Sequence, residues 1–310
     1  MAKRESLREA YGRELVSIAK EDDRIVVLDA DLGGSTKSCY MEKQIPERFF
    51  EMGIAEQNMV STAAGLSLTG KIPFVNSFCV FAAGQPFNQI RQGIALPKLN
   101  VKIVGSSSGL SDFGDGATHQ SIEDVAIMRS IPNMVVINPV DSFETKKATR
   151  AIANYKGPVY FRISRADLPI VTKENDLFEI GKTYLLADGK DIAIFAYGFM
   201  VYQALKAREI LTKKGIYAKV INVPTIKPLN IKEIKDNVKT VRGVITAEEH
   251  SIIGGLGGAI CKALSDESIK IKRVGINDEF GQSAESYEEL IKHYKLTPEE
   301  IAEKAKELMK

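Results

Sequence analysis

The sequence predicts an α/β protein that consists of two doubly wound domains. Short, nearly continuous apolar runs alternate with amphipathic stretches along the 310 residues, a pattern that favours parallel sheets with helices on both faces. A polar, acid-containing stretch at 172–183 interrupts the series. We therefore predict a larger domain at residues 1–178 and a smaller one at 179–310.

Each predicted element follows from its apolar pattern. The predicted strands of the first domain are RIVVLDAD (24–31), IPFVNSF (72–78), VKIVGSS (101–107), NMVVINP (133–139) and PVYFRIS (158–164). Helices are predicted at 5–20, 56–69, 81–95, 121–130 and 141–154. The predicted strands of the second domain are DIAIFAYG (191–198), YAKVINV (217–223), RGVITAEE (242–249) and KRVGIN (272–277).

Charge and composition argue against several classes of function. Lys and Arg (42) nearly cancel Asp and Glu (40), so no overall field attracts nucleic acid or an acidic membrane. The charged N-terminus lacks the apolar core of a signal peptide, and no apolar run reaches the roughly 18 residues of a membrane span. Three scattered cysteines argue against disulfides and a thiolate metal site. We expect a cytoplasmic protein that binds neither nucleic acid nor membrane and has no structural metal of its own.

Two glycine-containing motifs are similar to phosphate-binding sequence motifs but depart from the pattern that those motifs require. IIGGLGGAI (252–260) lacks the spacing of a dinucleotide-binding turn, so its glycines are interpreted as close helix–sheet packing. GDG (114–116), with Asn138 downstream, resembles the magnesium and diphosphate motif of thiamine enzymes. Asp115 lies deep in a polar loop, however, and Asn138 is followed by Pro139. We interpret this match as coincidental and predict no metal ligand in the chain.

A long loop of small and polar residues opens the segment 106–130, directly after a predicted strand. Ligands of open parallel sheets bind outside the carboxyl ends of the strands. The loop presents Asp115 and His119, an acceptor and a proton carrier suited to hydroxyl groups. A solvated loop with a chance histidine explains the same residues, and the pattern alone leaves both possibilities open.

Other candidate residues also stand at strand ends or helix starts. Glu56 is a lone carboxylate at the start of a mostly apolar or small-residue helix. Phe78 and Phe81 follow a strand; such aromatics usually belong to the core, and the alternative is a flat cofactor ring stacked on Phe78. Arg165 ends another strand, where a guanidinium can grip a phosphate or carboxylate, or can simply be a surface charge.

Taken together, these stretches resemble the C-terminal half of the transketolase family. The resemblance follows the family order from residue 7 to about 257. The matching stretches are LREAYGRELV, VLDADLGGST, GIAEQNMVSTAAGLS, PFVNSFCVFAAGQPFNQIR, GDGATHQSIED, MVVINPVD, FRISRADLP, VPTIKPLN and EEHSIIGGLG. The resemblance implies a pyrimidine-binding domain followed by a smaller transketolase C-terminal domain.

The resemblance also implies roles for individual residues. Glu56 matches the glutamate that hydrogen-bonds the aminopyrimidine ring of thiamine diphosphate and activates this cofactor; burial among apolar residues would favour its protonated form. Phe78 would stack on the pyrimidine, with Phe81 beside it. Asp115 and His119 match positions that bind hydroxyl groups of the donor ketose, and His119 is expected to take part in catalysis.

A second group of matching residues would hold the sugar phosphate. Arg8, Ser35 and Arg165 match phosphate-binding positions of the family. Ser107 stands where the family often has a phosphate-binding histidine. We include Ser107 among the substrate-binding residues, and this departure leaves the preferred sugar open.

The N-terminal half of a full-length transketolase, which carries the metal and diphosphate site, is not part of this sequence. We therefore expect one subunit of a split enzyme of the pentose phosphate pathway, paired with an N-terminal transketolase subunit as two chains of each kind. Mg²⁺ or Ca²⁺ would be held mainly by that partner.

The expected reaction is the transfer of a two-carbon ketol unit between sugar phosphates. An alternative keeps the cofactor and changes the reaction, to a deoxyxylulose-phosphate synthase or a 2-oxo acid dehydrogenase beta subunit. AEQNM favours transketolase, because the synthase typically has His where Asn58 stands. A catalytically silent interaction module is a third possibility, and the retention of Glu56, His119 and Arg165 argues against it.

Overall fold

The structure, a computed structural model, describes residues 3–310. Its strands, numbered in chain order, are β1 (Arg4–Glu5), β2 (Ile25–Asp29), β3 (Phe49–Glu51), β4 (Ile72–Phe78), β5 (Lys102–Ser106), β6 (Val135–Ile137), β7 (Val159–Arg162), β8 (Leu168–Pro169), β9 (Tyr184–Ala187), β10 (Ile192–Ala196), β11 (Ala218–Asn222), β12 (Thr225–Lys227), β13 (Gly243–Ser251) and β14 (Lys270–Ile276).

Helices cover most of the remaining chain. The α-helices are α1 (Leu7–Glu21), α2 (Gly33–Thr36), α3 (Cys39–Gln44), α4 (Glu56–Leu68), α5 (Cys79–Gly84), α6 (Asp124–Ser130), α7 (Ser142–Asn154), α8 (Phe199–Thr212), α9 (Ile231–Val238), α10 (Leu256–Ala263), α11 (Tyr287–His293) and α12 (Pro298–Leu308). Short 3₁₀ segments occur at Pro46–Arg48 and Gly116–Thr118, and a π-helix at Gln89–Ala95.

Seven strands form the larger sheet, in the order β12-β6-β7-β5-β4-β2-β3. All of its pairs are parallel except β12, which runs antiparallel to β6. Strand β2 shows the double winding: Val27 belongs to the core that contains Leu15 of α1, whereas Val26 and Leu28 belong to the core that contains Val60 of α4. Because side chains alternate along a strand, helices cover both faces of this sheet.

Five strands form the smaller sheet, in the order β14-β13-β10-β11-β9. Its central pairs are parallel, and β9 adds to β11 in the antiparallel direction. A third sheet consists only of β1 and β8, which pair Arg4 with Pro169. The predicted fold class, two doubly wound α/β domains, is confirmed.

Two features differ from the sequence-based expectations. The antiparallel edge strands β9 and β12 were not predicted, because segments of three or four residues carry little periodic signal. The helix expected at 81–95 is divided: α5 ends at Gly84, and the π-helix begins at Gln89. Pro86 lies between them and has no backbone N–H to continue the helical hydrogen bonds.

Strand β12 belongs to the sequence that follows the polar stretch, yet it is the edge strand of the larger sheet. The division at residues 178 and 179 stays a prediction. Within the described residues, no helix combines the length and the apolar character that crossing a membrane requires.

Candidate active site

Glu56 lies beside the C-terminal end of β4 in the larger sheet. It is the first residue of α4, and its buried carboxylate accepts a hydrogen bond from the Ser77 hydroxyl (Oε1···Oγ 3.0 Å) at the end of β4. Oε2 accepts no hydrogen bond from the described residues. The carboxylate lines a cavity of about 480 Å³, whose other lining residues are Ile54, Ala55, Gln57, Asn58, Phe81 and Gln85. One carboxylate oxygen is therefore available to a ligand in this cavity.

Phe81, which lines the same cavity as Glu56, belongs to a group of three neighbouring rings. The Phe78 and Phe81 rings are nearly parallel, with centroids 6.1 Å apart. The His119 ring meets the Phe81 ring edge-on at 5.3 Å and the Phe78 ring at 6.2 Å. Phe78 is buried, whereas His119 is partly exposed. The structure thus brings the imidazole of His119 to two aromatic rings that lie 38 and 41 positions before it in the chain.

The Arg165 guanidinium adjoins the same rings. Its central carbon lies 6.0 Å from the centroid of the Phe78 ring. Its Nη1 atom is 2.7 Å from both carboxylate oxygens of Asp112 and 3.4 Å from Asp115 Oδ2. Asp112 was not among the predicted site residues. The sequence signal was present, because this acid lies only three residues before Asp115 in the loop that follows β5.

Arg8 approaches the site from the start of α1. Its Nη1 atom donates to the Ser35 carbonyl oxygen at 2.7 Å, so its contact with Ser35 uses the backbone. The buried Nε atom has no acceptor among the described residues. Burial lowers the pKa of Arg8, and the positive charge of Arg165 lowers it further. Two guanidinium groups therefore act on each other at one edge of the site.

Ser107 differs from the other predicted site residues. It follows β5 in the left-handed region (φ 57°), and its side chain is fully buried. The hydroxyl makes no hydrogen bond with the described residues. Ser107 therefore lies beneath the site surface, whereas His119 is partly exposed.

The loop that carries Asp115 and His119 is fastened to the second domain. The Glu249 carboxylate of β13 accepts hydrogen bonds from the Leu110 N–H and the Tyr287 hydroxyl, both at 2.7 Å. Burial raises the pKa of Glu249 to about 7. The Gln120 amide donates to the Gln282 carbonyl at 3.0 Å. These contacts fix the loop through residues far along the chain.

Asn138, the second residue of the apparent diphosphate motif, has a structural partner. Its Oδ1 atom accepts from Arg162 Nη1 at 2.9 Å, and the Arg162 Nε atom donates to Asp124 Oδ2 at 2.8 Å. All three side chains are buried, whereas the Asp115 side chain is half exposed and adjoins Arg165. Asn138 and Asp115 therefore have different partners. Among residues 3–310, no three His, Cys, Asp or Glu side chains are grouped as a metal site would require.

Close packing, the interpretation made from the sequence, applies to three of the four glycines of 252–260: a Cβ atom would overlap neighbouring atoms at Gly254, Gly255 and Gly257, whereas one at Gly258 would meet no atom within 4 Å. The Glu248 carboxylate accepts hydrogen bonds from the N–H groups of Leu256 (2.6 Å) and Gly257 (2.8 Å). A Cβ atom at Gly257 would come within 2.8 Å of Arg273 Cδ. The amides that a phosphate would use are thus already bound by a carboxylate, whose pKa burial raises to about 7.

Known proteins are similar to this chain in sequence and in structure. A provisionally named transketolase C-terminal section from Methanocaldococcus jannaschii is 49% identical over 98% of this chain and 96% of that protein. A 6-deoxy-6-sulfo-D-fructose transketolase subunit from Clostridium sp. (strain MSTE9) is 42% identical over 97% of this chain and 94% of that protein. A solved structure described as a split gene transketolase, inactive beta4 tetramer, is 43% identical, with a TM-score of 0.89 over 98% of this chain and 97% of that one.

The family matches cover most of the sequence. Residues 4–171 match the family model described as Transketolase, pyrimidine binding domain, and residues 181–301 match the one described as Transketolase, C-terminal domain. The chain therefore belongs to the transketolase family.

Proposed function

We propose that this chain is the C-terminal subunit of a thiamine-diphosphate-dependent transketolase, which moves a two-carbon ketol unit between sugars with an anionic end, such as sugar phosphates. The observation that carries the proposal is the convergence of Glu56, Phe78, Phe81 and His119 on one edge of the sheet. This set combines a carboxylate, a flat apolar surface and a proton carrier. An interaction module without activity has no use for it.

The cavity beside Glu56 suits the aminopyrimidine end of the cofactor. Glu56 Oε1 is held by the Ser77 hydroxyl, and Oε2 is left to hydrogen-bond a ring nitrogen. Phe81 lines the same cavity, and Phe78 stacks against Phe81. Thiamine diphosphate, when bound, supplies the carbanion chemistry that cleaves the carbon–carbon bond. In this proposal Glu56 holds the activating proton, and the phenylalanines orient the ring.

The donor sugar would lie between the rings and the two arginines. His119 and Asp115 are placed to hydrogen-bond its hydroxyl groups, and His119 can move a proton there. Arg8 and Arg165 would hold the anionic end at the far side. One relative is named for a sulfonated fructose, so the anionic group of the donor need not be a phosphate.

A partner subunit completes the proposed enzyme. Ile54 (83% exposed) lines the Glu56 cavity, and Leu68 (75%) at the end of α4 and Leu96 (74%) after the π-helix are also exposed apolar side chains. Obligate interfaces are apolar in this way. We assign this surface to the N-terminal transketolase subunit, which would hold Mg²⁺ or Ca²⁺ and the diphosphate, in an assembly of two chains of each kind in the cytoplasm. A related solved structure is described as an inactive tetramer of beta chains, and we expect this chain to be inactive alone as well.

Reconstitution tests the proposal. The chain, the N-terminal subunit, magnesium and thiamine diphosphate are mixed, and xylulose 5-phosphate is compared with pyruvate as donor. We expect ketol transfer from xylulose 5-phosphate and a mass equal to two copies of each subunit. Use of pyruvate alone would support a synthase or dehydrogenase subunit. Turnover by the purified chain without a partner would contradict the split-enzyme proposal.

A further inference from the structure

The Arg165 guanidinium forms its ion pair with Asp112 through a single nitrogen. Every hydrogen bond of the guanidinium within residues 3–310 passes through Nη1, which bonds both Asp112 oxygens at 2.7 Å. Nε and Nη2 are therefore left without an acceptor in this part of the chain. The Arg165 side chain is 36% exposed, so a ligand can reach these donors.

Asp112 is a fixed part of this arrangement. Its side chain is only 2% exposed, and its backbone carbonyl accepts from the Gln120 amide at 3.1 Å. The neighbouring Ser111 hydroxyl accepts from the Arg165 N–H at 3.0 Å, which holds the two segments together. A buried carboxylate that loses its cation pays a large desolvation cost. Arg165 therefore keeps this partner when a ligand arrives.

The positive charge of the arginines is consequently offset at this end of the site. Arg8 and Arg165 supply two positive charges and Asp112 and Asp115 supply two negative ones, and the carboxylates of Glu9 and Asp167 act on Arg8 as well. Ser107 adds none. A phosphate monoester carries nearly two negative charges at neutral pH, and it would meet Asp112 and Asp115 as well as the arginines. The free N–H donors of Arg165 can still bind hydroxyl groups or a singly charged oxyanion.

We propose that Asp112 is a specificity-determining residue: by pairing with Arg165, it reduces the preference for a dianionic phosphate and admits donor ketoses whose far end is uncharged or carries a single negative charge. This inference rests on the proposed ketol transfer. It concerns the class of donor and leaves the reaction unchanged. Asp112 acts through Arg165 and does not itself touch the sugar.

The test compares Asp112→Asn with the parent in the complete two-subunit enzyme. The measured quantity is the ratio of kcat/KM for D-xylulose 5-phosphate to kcat/KM for unphosphorylated D-xylulose. We expect the ratio to rise about tenfold, which corresponds to about 1.4 kcal/mol, through a lower KM for the phosphorylated donor. The kcat/KM for D-xylulose should stay within about twofold. An unchanged or lower ratio would overturn the proposal.

Two control variants separate charge from local structure. Asp112→Glu keeps the charge and should retain the ratio of the parent. Asp167→Asn removes an exposed carboxylate that acts on Arg8 and makes no ion pair with Arg165, and it should change the ratio by less than about twofold. An equal rise in Asp167→Asn would show a general field effect and refute a specific role of Asp112.

A second measurement is independent of ketol transfer. Inorganic phosphate is titrated calorimetrically into the complete protein and into its Asp112→Asn variant. Binding should be about tenfold tighter to the variant. If the parent transfers no ketol unit while phosphate binding changes as expected, the proposed function is wrong. The role of Asp112 in lowering the affinity for a dianionic phosphate is then still supported. Equal phosphate affinity in both proteins would refute that role whichever reaction the enzyme catalyses.

Discussion

The Glu249 carboxylate in the second domain is bonded to the Leu110 N–H in the first, with 2.7 Å between Oε1 and N. The same carboxylate accepts from Tyr287 Oη at 2.7 Å. Gly109 precedes the bonded amide with φ 60°, and a Cβ atom there would overlap the Glu249 side chain. The smaller domain therefore positions the loop on which Asp112, Asp115 and His119 lie.

Removal of this carboxylate should loosen the loop and destabilise the protein. Glu249→Ala leaves the Leu110 N–H and the Tyr287 hydroxyl buried without partners, at a cost of about 2–4 kcal/mol in the free energy of unfolding. Urea denaturation measures this cost. Glu249→Gln retains an acceptor oxygen of the same shape and should lose at most about 1 kcal/mol. If Glu249→Ala lowers the free energy of unfolding by less than about 1 kcal/mol, the hydrogen bonds of Glu249 contribute little to stability.

Glu56 should be essential for turnover and of small importance for folding. Glu56→Gln keeps the shape and a hydrogen-bond acceptor for Ser77 but cannot exchange a proton with the cofactor. We expect ketol transfer to fall by roughly 10²–10⁴-fold, with a melting temperature close to that of the parent. Steady-state kinetics and calorimetry measure both quantities. Activity of Glu56→Gln within tenfold of the parent would contradict the assignment.

His119 should act on the donor sugar. Its partly exposed ring adjoins Phe78 and Phe81. The substitution His119→Ala should lower kcat/KM for the donor by an amount equivalent to about 1–3 kcal/mol, the value of a hydrogen bond to a charged or developing centre. The affinity for thiamine diphosphate should hardly change. His293→Ala, at an exposed histidine in α11, is the matched control. Weaker cofactor binding with an unchanged kcat/KM for the donor would indicate that this loop contacts the cofactor and not the donor sugar.

Buried glutamates should make the fold less stable at alkaline pH. Burial raises the pKa of Glu144 from its ordinary value of 4.5 to about 8. The folded state then keeps a proton that the unfolded chain releases near pH 4.5. Stability is therefore lost as the pH rises between these values, by at most about 1.4 kcal/mol per pH unit for one such group.

Glu144→Gln tests this dependence. The carboxylate accepts from the Val140 N–H and from the Asn222 amide, and a glutamine amide can donate to Asn222 once that side chain is turned. As the pH rises from 6 to 9, the free energy of unfolding should fall in the parent. In Glu144→Gln this loss should be smaller by about 1–3 kcal/mol. Glu174→Gln, at an exposed position, should behave as the parent does. Identical pH profiles for all three proteins would exclude a neutral Glu144.

Much of the fold was readable from the sequence, because long buried strands leave an unmistakable apolar run. IPFVNSF (72–78) coincides with β4, and the start of α4 was expected at Glu56. His119 and Arg165 both adjoin Phe78, and each had been singled out because it follows the end of a predicted strand, where ligands of parallel sheets bind. The roles assigned to these residues stay predictions.

Contacts that depend on loop conformation were not readable. The Asp112–Arg165 pair joins residues 53 positions apart, and the Glu249–Leu110 bond spans 139 positions. Neither has a local pattern, because the path of a loop is set by what it packs against. The burial of Ser107 is of the same kind, since its left-handed backbone turns the side chain inward.

Strand β12 links the two halves of the polypeptide, because it comes from the second half and pairs with the sheet of the first. Residues Thr225–Lys227 follow the linker in sequence and hydrogen-bond to Val136 and Ile137 of the larger sheet. After proteolytic cleavage at 172–183, the two fragments should therefore stay associated, because β12 of the C-terminal fragment remains paired with β6 of the N-terminal fragment. A recombinant N-terminal fragment would end in an open sheet edge, ready to pair with another copy and aggregate.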